Sequence, residues 1–447
     1  MAGIGFKLRT FVAEGTLMGI LKGYLYSAVI SSGPWIITVC TLAAISLMGG
    51  HEKHFEVAIL YVYAFSLIVT GLFQFIVTRF LADRLYAEDL EVFLPTFMAV
   101  SLVVSLFQAV TGILAFGAME TSLLFRILAV VLYIVVSNLW LSLIFLGVVR
   151  AYQTIVWAFV IGSLISFATA FLLGKDFGGE GYIFGFTLGQ FAIYVTLMYV
   201  MFTEFEAKRV FDFSFLGYFK VYPALAYLGL VFYMGVWADK FLFWWSDRGT
   251  VIVAPIFRAS LEYDTAGFIA QLSVLPALAL FMVKVETGFY EKYRDFYGGI
   301  TAKLSFQDIE TKKREIVENL KSGFGDFLRV QGLTTFFLVV FAPQFFYFLW
   351  LSDAGYALLQ IHLVAAFWLT GLLLAMIILL YFEYYPQAII SAGVFLGSNL
   401  LFTQVGLRWR AFDGYGYLLA CLCGFLVAAW FVARGLALLE FVTFSKQ

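Results

Sequence analysis

The chain contains 447 residues, of which 63% are apolar, 19% aromatic and only 13% charged. An ordinary soluble domain is about half apolar and about a quarter charged, so this chain has too few polar residues to cover a water-soluble globule. The 28 basic and 29 acidic residues nearly cancel, so no net positive field attracts a nucleic acid. This composition argues against a soluble enzyme, a disordered scaffold or a nucleic-acid-binding protein, and it indicates a polytopic membrane protein.

The first 21 residues do not look like a cleavable signal peptide. Lys7, Arg9 and Glu14 interrupt them, and no compact apolar core precedes a small-residue cleavage site. Their apolar residues recur at a rough helical spacing. We therefore expect an interfacial helix that leads into the first membrane span.

Twelve stretches are long and apolar enough to cross a bilayer, which takes about 20 residues. They lie near 24–48, 57–79, 92–117, 123–148, 152–174, 181–202, 215–238, 266–288, 329–351, 355–381, 385–406 and 414–439. The sequence therefore predicts an all-α polytopic membrane protein with 12 transmembrane helices.

A dense charge cluster at 203–214 divides these spans into two groups of six. We predict an N-terminal lobe at 1–202, a cytoplasmic linker at 203–214 and a C-terminal lobe at 215–447. Six plus six spans suggest two bundles around a passage, as in transporters built from repeats, although no residue-level repeat is visible. If both termini are cytoplasmic, the segments on the cytoplasmic side hold more Lys and Arg residues than those on the outer side. The positive-inside rule therefore favours that orientation.

The longest hydrophilic segment, 289–328, belongs to the C-terminal lobe. Ser305 followed by Asp308 resembles a capping box, and the apolar residues that follow fall largely on one face. We predict a cytoplasmic amphipathic helix from Ser305. The membrane surface and a partner protein fit its apolar face equally well.

Polar groups inside the predicted spans are functional candidates, because charge in hydrocarbon is costly. The first cluster is Ser31, Ser32, Gly33, Pro34 and Trp35 in span one. Proline breaks the helical hydrogen-bond ladder, and the freed carbonyls need protein or water as partners. A kink that faces a central cavity and a kink that serves only packing both fit.

Two further clusters flank the loop between spans seven and eight. Asp239 and Lys240 precede an aromatic run, 241–245, that fits either an interfacial belt or a mouth that stacks sugar rings. Tyr263 and Asp264 lead into span eight. Gln271 lies two turns beyond Asp264 on one face, and Lys284 and Glu286 lie near the other end of the span, where an edge position and a position in the passage fit equally.

Isolated polar residues occur in many spans. They are Gln74, Arg79, Gln108, Asn138, Gln190, Asn399 and Gln404. Each alone is typical of an interhelical hydrogen bond, and together they could line a polar passage.

Several motifs are absent from the sequence. No Walker motif is present, and no nucleophile, base and orienting group form a recognisable set. His51 and His54 in one loop are more typical of a solvated loop than of a metal site. The cysteines, Cys40, Cys421 and Cys423, imply no disulfide framework. We predict a protein that is not an enzyme and that uses no cofactor and no metal.

Two regions resemble the family of Pel exopolysaccharide transporters. The first comprises GIGFKLR at 3–9 and YSAVISSGPW at 26–35. The second comprises WADKFLFWWSD at 237–247 and LEYDTAGFIAQLSVLPALALFMVKVETGFYEKY at 261–293. Length and span number also match, so the resemblance covers essentially the whole chain.

The resemblance implies a member of the superfamily of multidrug, lipid-linked oligosaccharide and polysaccharide exporters. Its fold would be two six-helix lobes around a V-shaped cavity that works by alternating access. The family member lies in the bacterial inner membrane and passes an N-acetylhexosamine-rich polymer to the periplasm. Its expected partners are a cytoplasmic glycosyltransferase and membrane proteins, one of which senses cyclic di-GMP. The family motif also takes in Pro276 and Thr287.

We assign the candidate substrate path to polar and aromatic side chains of both lobes. They are Ser31, Ser32, Trp35, Gln74, Asn138, Asp239, Lys240, Tyr263, Asp264, Gln271, Lys284 and Glu286. Two alternatives stay open. One is a lipid-linked oligosaccharide flippase or ion-coupled antiporter of the same superfamily, and the other is a non-transporting membrane scaffold of a polysaccharide synthase complex.

Overall fold

The computed structural model describes residues 17–49, 52–147, 152–248, 250–284, 288–345, 347 and 351–445, with the backbone alone for 17–32, 152–153, 282–283, 345 and 410. The helices are α1 (Leu17–Met48), α2 (Lys53–Tyr86), α3 (Phe93–Phe116), α4 (Leu123–Leu146), α5 (Tyr152–Phe177), α6 (Gly179–Glu204), α7 (Leu216–Val221), α8 (Pro223–Trp244), α9 (Leu261–Leu272), α10 (Leu275–Lys284), α11 (Tyr290–Thr301), α12 (Phe306–Val340), α13 (Ala342–Phe345), α14 (Asp353–Tyr381), α15 (Tyr385–Gly406), α16 (Tyr415–Ala437) and α17 (Leu439–Ser445). One short antiparallel hairpin joins β1 (Val251–Ala254) to β2 (Phe257–Ala259). The predicted interfacial helix at 1–21 lies mostly outside the described residues.

Packing divides the chain into two compact units. The first unit is 33–261, and the second comprises 262–447 with the part of α1 up to Ser32. Span seven, α8, thus packs with the helices of the N-terminal half. The predicted lobes at 1–202 and 215–447 differ from these units in where they place that span and the part of α1 up to Ser32. As transport lobes they stay a prediction.

Close approach of glycines fixes the crossing of α2 and α8 in the first unit. A Cβ atom added to Gly229 would lie 1.9 Å from the backbone oxygen of Gly71, and one added to Gly71 would lie 2.6 Å from the ring of Tyr233. Small residues let helices in membranes approach until their backbones touch, and dispersion then replaces the hydrophobic effect as the driving force. The same device recurs between α5 and α6, where a Cβ on Gly189 would meet Ser166.

The β-hairpin was not predicted from the sequence. The hydroxyl of Tyr61 on α2 donates to the carbonyl of Ile256 at 2.8 Å and accepts from the backbone N–H of Arg258 at 3.1 Å. The ring of Phe257 is fully buried between Tyr61 and Phe116, at ring-centroid distances of 4.6 and 5.4 Å. The loop after α8 is therefore pinned to the first unit.

The predicted linker at 203–214 also packs on the first unit. Phe205 stacks on Phe93 at 5.1 Å, and Phe215, the residue directly after the linker, is fully buried. The backbone N–H of Asp212 donates to the carbonyl of Pro95 at 3.0 Å. Apolar side chains within a charged sequence explain why this segment docks instead of extending freely into water.

The second unit is built around α14, α15 and α16. A Cβ on Gly416 would lie 2.5 Å from the backbone of Thr403, so α15 and α16 touch closely. Leu359, Leu363 and Ala366 of α14 pack against the apolar face of α9.

Predicted span eight is two helices and not one. Helix α9 ends at Leu272 and α10 begins at Leu275, directly before Pro276. The proline lacks the N–H that would continue the helical ladder, and its ring crowds the preceding turn. Discontinuous membrane helices of this kind are common near the binding sites of transporters.

The hydrophilic segment 289–328 contains two helices where one was predicted. Helix α11 precedes the predicted one, and the pair forms a hairpin in which Lys292 and Glu315 lie 2.6 Å apart. The capping box is confirmed, because the N–H of Asp308 donates to the Ser305 hydroxyl at 3.2 Å. Helix α12 then runs without interruption into the predicted span nine.

Ten stretches of the described residues are long and apolar enough to cross a membrane, and one of them, Leu261–Phe281, comprises α9 and most of α10. The described apolar part of α1, Gly33–Met48, is shorter, and the region of span nine is divided between α12 and α13. The all-α polytopic membrane fold is confirmed, whereas the number of twelve spans stays a prediction. Span seven starts at Pro223, since this proline ends α7 and occupies the first turn of α8.

Candidate functional site

A charged pair lies inside the last turns of α8. Asp239 is fully buried, and the Lys240 side chain is 12% exposed. Their charged atoms lie 3.5 Å apart, and the Lys240 ammonium lies 5.5 Å from the centre of the Trp237 ring. The Asp239 carboxylate and the Trp237 ring together offset part of the free-energy cost of holding the Lys240 cation in apolar surroundings. The structure thus places these two predicted residues within a span and not beyond its end.

The aromatic run that follows has two different environments. Phe243 and Trp244 are buried, and Trp244 stacks on Tyr61 at 4.7 Å. Trp245 is 55% exposed, and the guanidinium of Arg258 lies 4.6 Å from its ring centre. The two buried rings belong to the core, so the partly exposed Phe241 and the exposed Trp245 are the aromatic residues of this run that fit either of the two predicted uses.

Two predicted path residues form interhelical hydrogen bonds. The hydroxyl of Tyr233 on α8 donates to Gln74 of α2 at 2.7 Å. The side-chain amide of Asn138 on α4 donates to Ser105 of α3 at 2.8 Å, and Asn138 is 2% exposed. Asn138 therefore forms the interhelical hydrogen bond that its residue type suggests. Gln74 keeps a partly exposed side chain next to the α2–α8 crossing.

The first predicted cluster lies on α1. Helix α1 continues through Pro34, and the Thr38 hydroxyl donates to the Pro34 carbonyl at 2.9 Å. Trp35 is partly exposed. The side chains of Ser31 and Ser32 lie outside the described residues.

The polar residues of α9 lie in the second unit. Tyr263 and Asp264 are buried, at 1% and 4% exposure, and Gln271 is partly exposed. Glu262 accepts hydrogen bonds from the N–H and hydroxyl of Ser352, the residue that caps α14. A carboxylate at a helix N-terminus interacts favourably with the helix dipole, so Glu262 fixes the start of α14 against α9.

Lys284 and Glu286 were predicted near the other end of span eight. The ammonium of Lys284 lies 2.9 Å from Asp326 on α12, and its side chain is 37% exposed. Because Lys284 occupies the last position of α10 and faces the polar part of α12, it fits the edge alternative. Glu286 lies outside the described residues.

Sequence reasoning missed an aromatic column around His362 on α14. The imidazole is 2% exposed, and its centre lies 4.7 Å from the ring centre of Tyr263 and 5.8 Å from that of Tyr417. The signal that could have revealed it is a histidine within the most apolar candidate span of the described residues.

Charges outside the spans hold the docked segment 203–222. Lys208 lies 2.7 Å from Glu91, and the hydrogen bond and charge of that carboxylate raise the lysine pKa. The hydroxyl of Tyr218 donates to Asp83 at 2.9 Å. Burial, and then the Asp83 carboxylate, raises the pKa of Tyr218.

Among the described residues, no group of three or more His, Cys, Asp or Glu side chains could hold a metal ion. His54 instead lies 3.0 Å from Glu52, which caps α2 through the backbone N–H of His54 and Phe55. His51 lies outside the described residues. The three cysteines are free thiols.

Comparison with solved structures gives the fold. The chain is similar to the outward-facing conformation of a multidrug resistance MATE family transporter of the MOP superfamily, with a TM-score of 0.62 and 14% identity over 93% of this chain and 96% of that one. It is also similar to a MATE transporter in a straight conformation, with a TM-score of 0.61 and 14% identity over 92% of this chain and 96% of that one. A MOP superfamily transporter from Pyrococcus furiosus matches with a TM-score of 0.60 and 14% identity over 93% and 96% of the two chains.

Comparison with curated proteins returns no significant match. The family model described as "PelG: Putative exopolysaccharide Exporter (EPS-E)" matches residues 1–444. That match covers almost the whole chain and agrees with the resemblance carried by the GPW and YDT motifs. The chain therefore belongs to the PelG family of exopolysaccharide exporters.

Proposed function

We propose that this protein moves a Pel-type, N-acetylhexosamine-rich polysaccharide from the cytoplasm to the periplasm across the bacterial inner membrane. The family match over residues 1–444 carries the proposal. Export would proceed by alternating access along a polar passage between two lobes, with both termini in the cytoplasm. A multi-pass membrane chain of a transporter fold supports this function.

The exposure of the candidate residues refines their proposed roles. Trp35, Gln74 and Gln271 are only partly buried and the Lys240 side chain keeps 12% exposure, so we assign contact with the substrate to these four side chains. Amide and ammonium groups can hydrogen-bond sugar hydroxyls and acetamides, and the indole ring can stack on the apolar face of a sugar. Fully buried residues of the set position these groups and do not themselves contact the polymer.

The expected partners follow from the family. A cytoplasmic glycosyltransferase would supply the growing polymer, and membrane partners, including a sensor of cyclic di-GMP, would complete the complex. The α11–α12 hairpin is the largest polar element among the described residues and supports such an assembly. Its exposed Glu310 and Arg314 lie on the polar part of α12, where a cytoplasmic protein can reach them.

An export assay tests the proposal. Polymer secretion is measured in a strain that lacks its own transporter, with and without the co-expressed glycosyltransferase. We expect Ser32→Trp and Gln271→Trp to block secretion at normal protein levels, because indole would obstruct the passage. Gly397→Trp is the matched control, since Gly397 is an exposed position on α15 with no neighbour within 4 Å of an added Cβ.

The two alternatives give different results in the same assay. A non-transporting scaffold would tolerate Ser32→Trp and Gln271→Trp, whereas disruption of the α11–α12 hairpin would dissociate the complex. A lipid-linked oligosaccharide flippase would move a short lipid-linked glycan and leave the polymer in the cytoplasm. Secretion that does not depend on this chain would contradict all transport roles.

A further inference from the structure

His362 is a titratable group buried deep in a membrane span. It lies nine residues after the start of α14, which is about 14 Å along the helix axis. The residue is 2% exposed, and its helix has the highest hydropathy among the ten candidate spans. Histidine changes its charge near neutral pH, and ionisable groups inside spans commonly mark ion or proton pathways.

The hydrogen bonding of His362 defines which nitrogen can gain a proton. Nδ1 lies 2.8 Å from the carbonyl oxygen of Leu358, one turn earlier on the same helix. A carbonyl oxygen only accepts, so we assign the hydrogen of the neutral imidazole to Nδ1. Protonation would then occur at Nε2 and leave the bond to Leu358 intact.

The surroundings of the ring suit a cation. Tyr263 stands nearly perpendicular to the imidazole, at 83°, and Tyr417 lies more nearly parallel, at 28°. Both tyrosines are 1% exposed. Aromatic rings attract a nearby cation, and more strongly when the site is desolvated, which opposes the cost of burying charge.

The chain approaches the ring edge at Gly414, the residue before α16. Gly414 adopts a φ of +84°, and a Cβ atom there would lie 3.6 Å from Cε1 of His362. This left-handed conformation favours glycine and brings the turn against the imidazole. The ring is therefore enclosed by α9, α14 and the start of α16.

The ionisable groups on the elements around His362 are few. Helix α9 contributes Tyr263 and the buried Asp264, and α16 with its preceding turn contributes Asp413, Tyr417 and Cys421. The segments 330–345 and 386–406, which contain the neighbouring parts of α12, α13 and α15, contain no acidic, basic, tyrosine or cysteine side chain. Asp264 is the most buried carboxylate of this set.

We propose that His362 is a proton-binding site through which the unit 262–447 couples its conformational change to the proton gradient. In one state Nε2 takes a proton from water, and in the other it returns that proton to water on the opposite side. The coupling names an energy source for the proposed export function and therefore rests on that function. Proton binding by His362 does not rest on it.

The direct test uses the small number of histidines. The chain has three, so a sample labelled only at histidine gives three ring signals by nuclear magnetic resonance. The variants His51→Gln and His54→Gln identify the two loop signals, and the remaining signal belongs to His362. We expect the neutral ring to show the Nδ1–H tautomer and Nε2 to gain a proton as the pH is lowered. A His362 signal that stays neutral down to pH 5 would overturn the proposal.

The functional arm uses His362→Gln, which keeps a polar side chain but cannot titrate, with His54→Gln as the control. We expect export by His362→Gln to fall about five- to a hundredfold at normal protein level and to lose its response to a protonophore. Export by this variant with the wild-type protonophore response would refute the coupling. If the wild type exports no polymer but His362 still titrates, the export function fails and the proton site stands.

Discussion

The crossing of α2 and α8 gives the sharpest test of the packing. In Gly229→Ala the new Cβ would lie 1.9 Å from the Gly71 oxygen, which is backbone and cannot rotate away. A carbon and an oxygen in contact lie about 3.3 Å apart, so the two helices must separate by about 1.4 Å. Overpacking of this kind costs about 1–3 kcal/mol, and weakening the Tyr233–Gln74 bond adds about 0.6 kcal/mol.

The matched control is Gly397→Ala on α15, where an added Cβ has no neighbour within 4 Å. Alanine is favoured over glycine inside a helix by about 1 kcal/mol, so this variant should be neutral or more stable. Thermal unfolding of purified protein in one detergent measures both. We expect Gly229→Ala to unfold at lower temperature than wild type and Gly397→Ala not to. Equal unfolding temperatures for the two variants would refute the assigned helix crossing.

Three further predictions concern charges. Asp239→Asn removes the carboxylate charge that lies 3.5 Å from the nearly buried Lys240, so we expect a loss of about 3 kcal/mol in unfolding free energy that is partly restored when Lys240→Gln is added; an equally unstable double variant would contradict the pairing. Lys313 lies 2.7 Å from Glu440, at 17% and 19% exposure, so a double-mutant cycle with alanine should give a coupling of about 1 kcal/mol, and a coupling of zero would dismiss this pair. Because the pKa of Tyr218 is raised above its ordinary value of 10.0, its hydrogen bond to Asp83 stabilises the fold fully below pH 10 and is lost as the pH rises through the raised value; Tyr218→Phe should lack this loss in pH-dependent unfolding, and the same decline in both proteins would count against it.

Hydropathy predicted most of the spans because a bilayer requires about 20 apolar residues whatever the tertiary structure. It placed span seven too early, since the apolar residues of α7 and α8 form one run and only Pro223 separates them. It joined α9 to α10 for the same reason. The β-hairpin escaped prediction because its two strands are held by Tyr61, which is nearly 200 residues away in sequence.

The candidate site was predicted only at the level of residue types. Composition identifies Asn138 and Gln74 as polar groups within spans, but the partner of each lies on another helix, and helix pairing is not encoded in the local pattern. His362 was overlooked because its significance comes from Tyr263 and Tyr417, which are separated from it by 99 and 55 positions. Motifs that distinguish the family mark the chain as a whole and do not assign roles to single side chains.

The length of α12 has a mechanical consequence. Its 35 residues form a rod of about 52 Å, polar at the start and apolar at the end, with no proline to bend it. The stretch predicted as span eight, by contrast, is interrupted directly before Pro276, between α9 and α10. A force applied to the polar end of α12 would displace the apolar end as one body, so a protein bound to the hairpin could tilt intramembrane residues without contacting them.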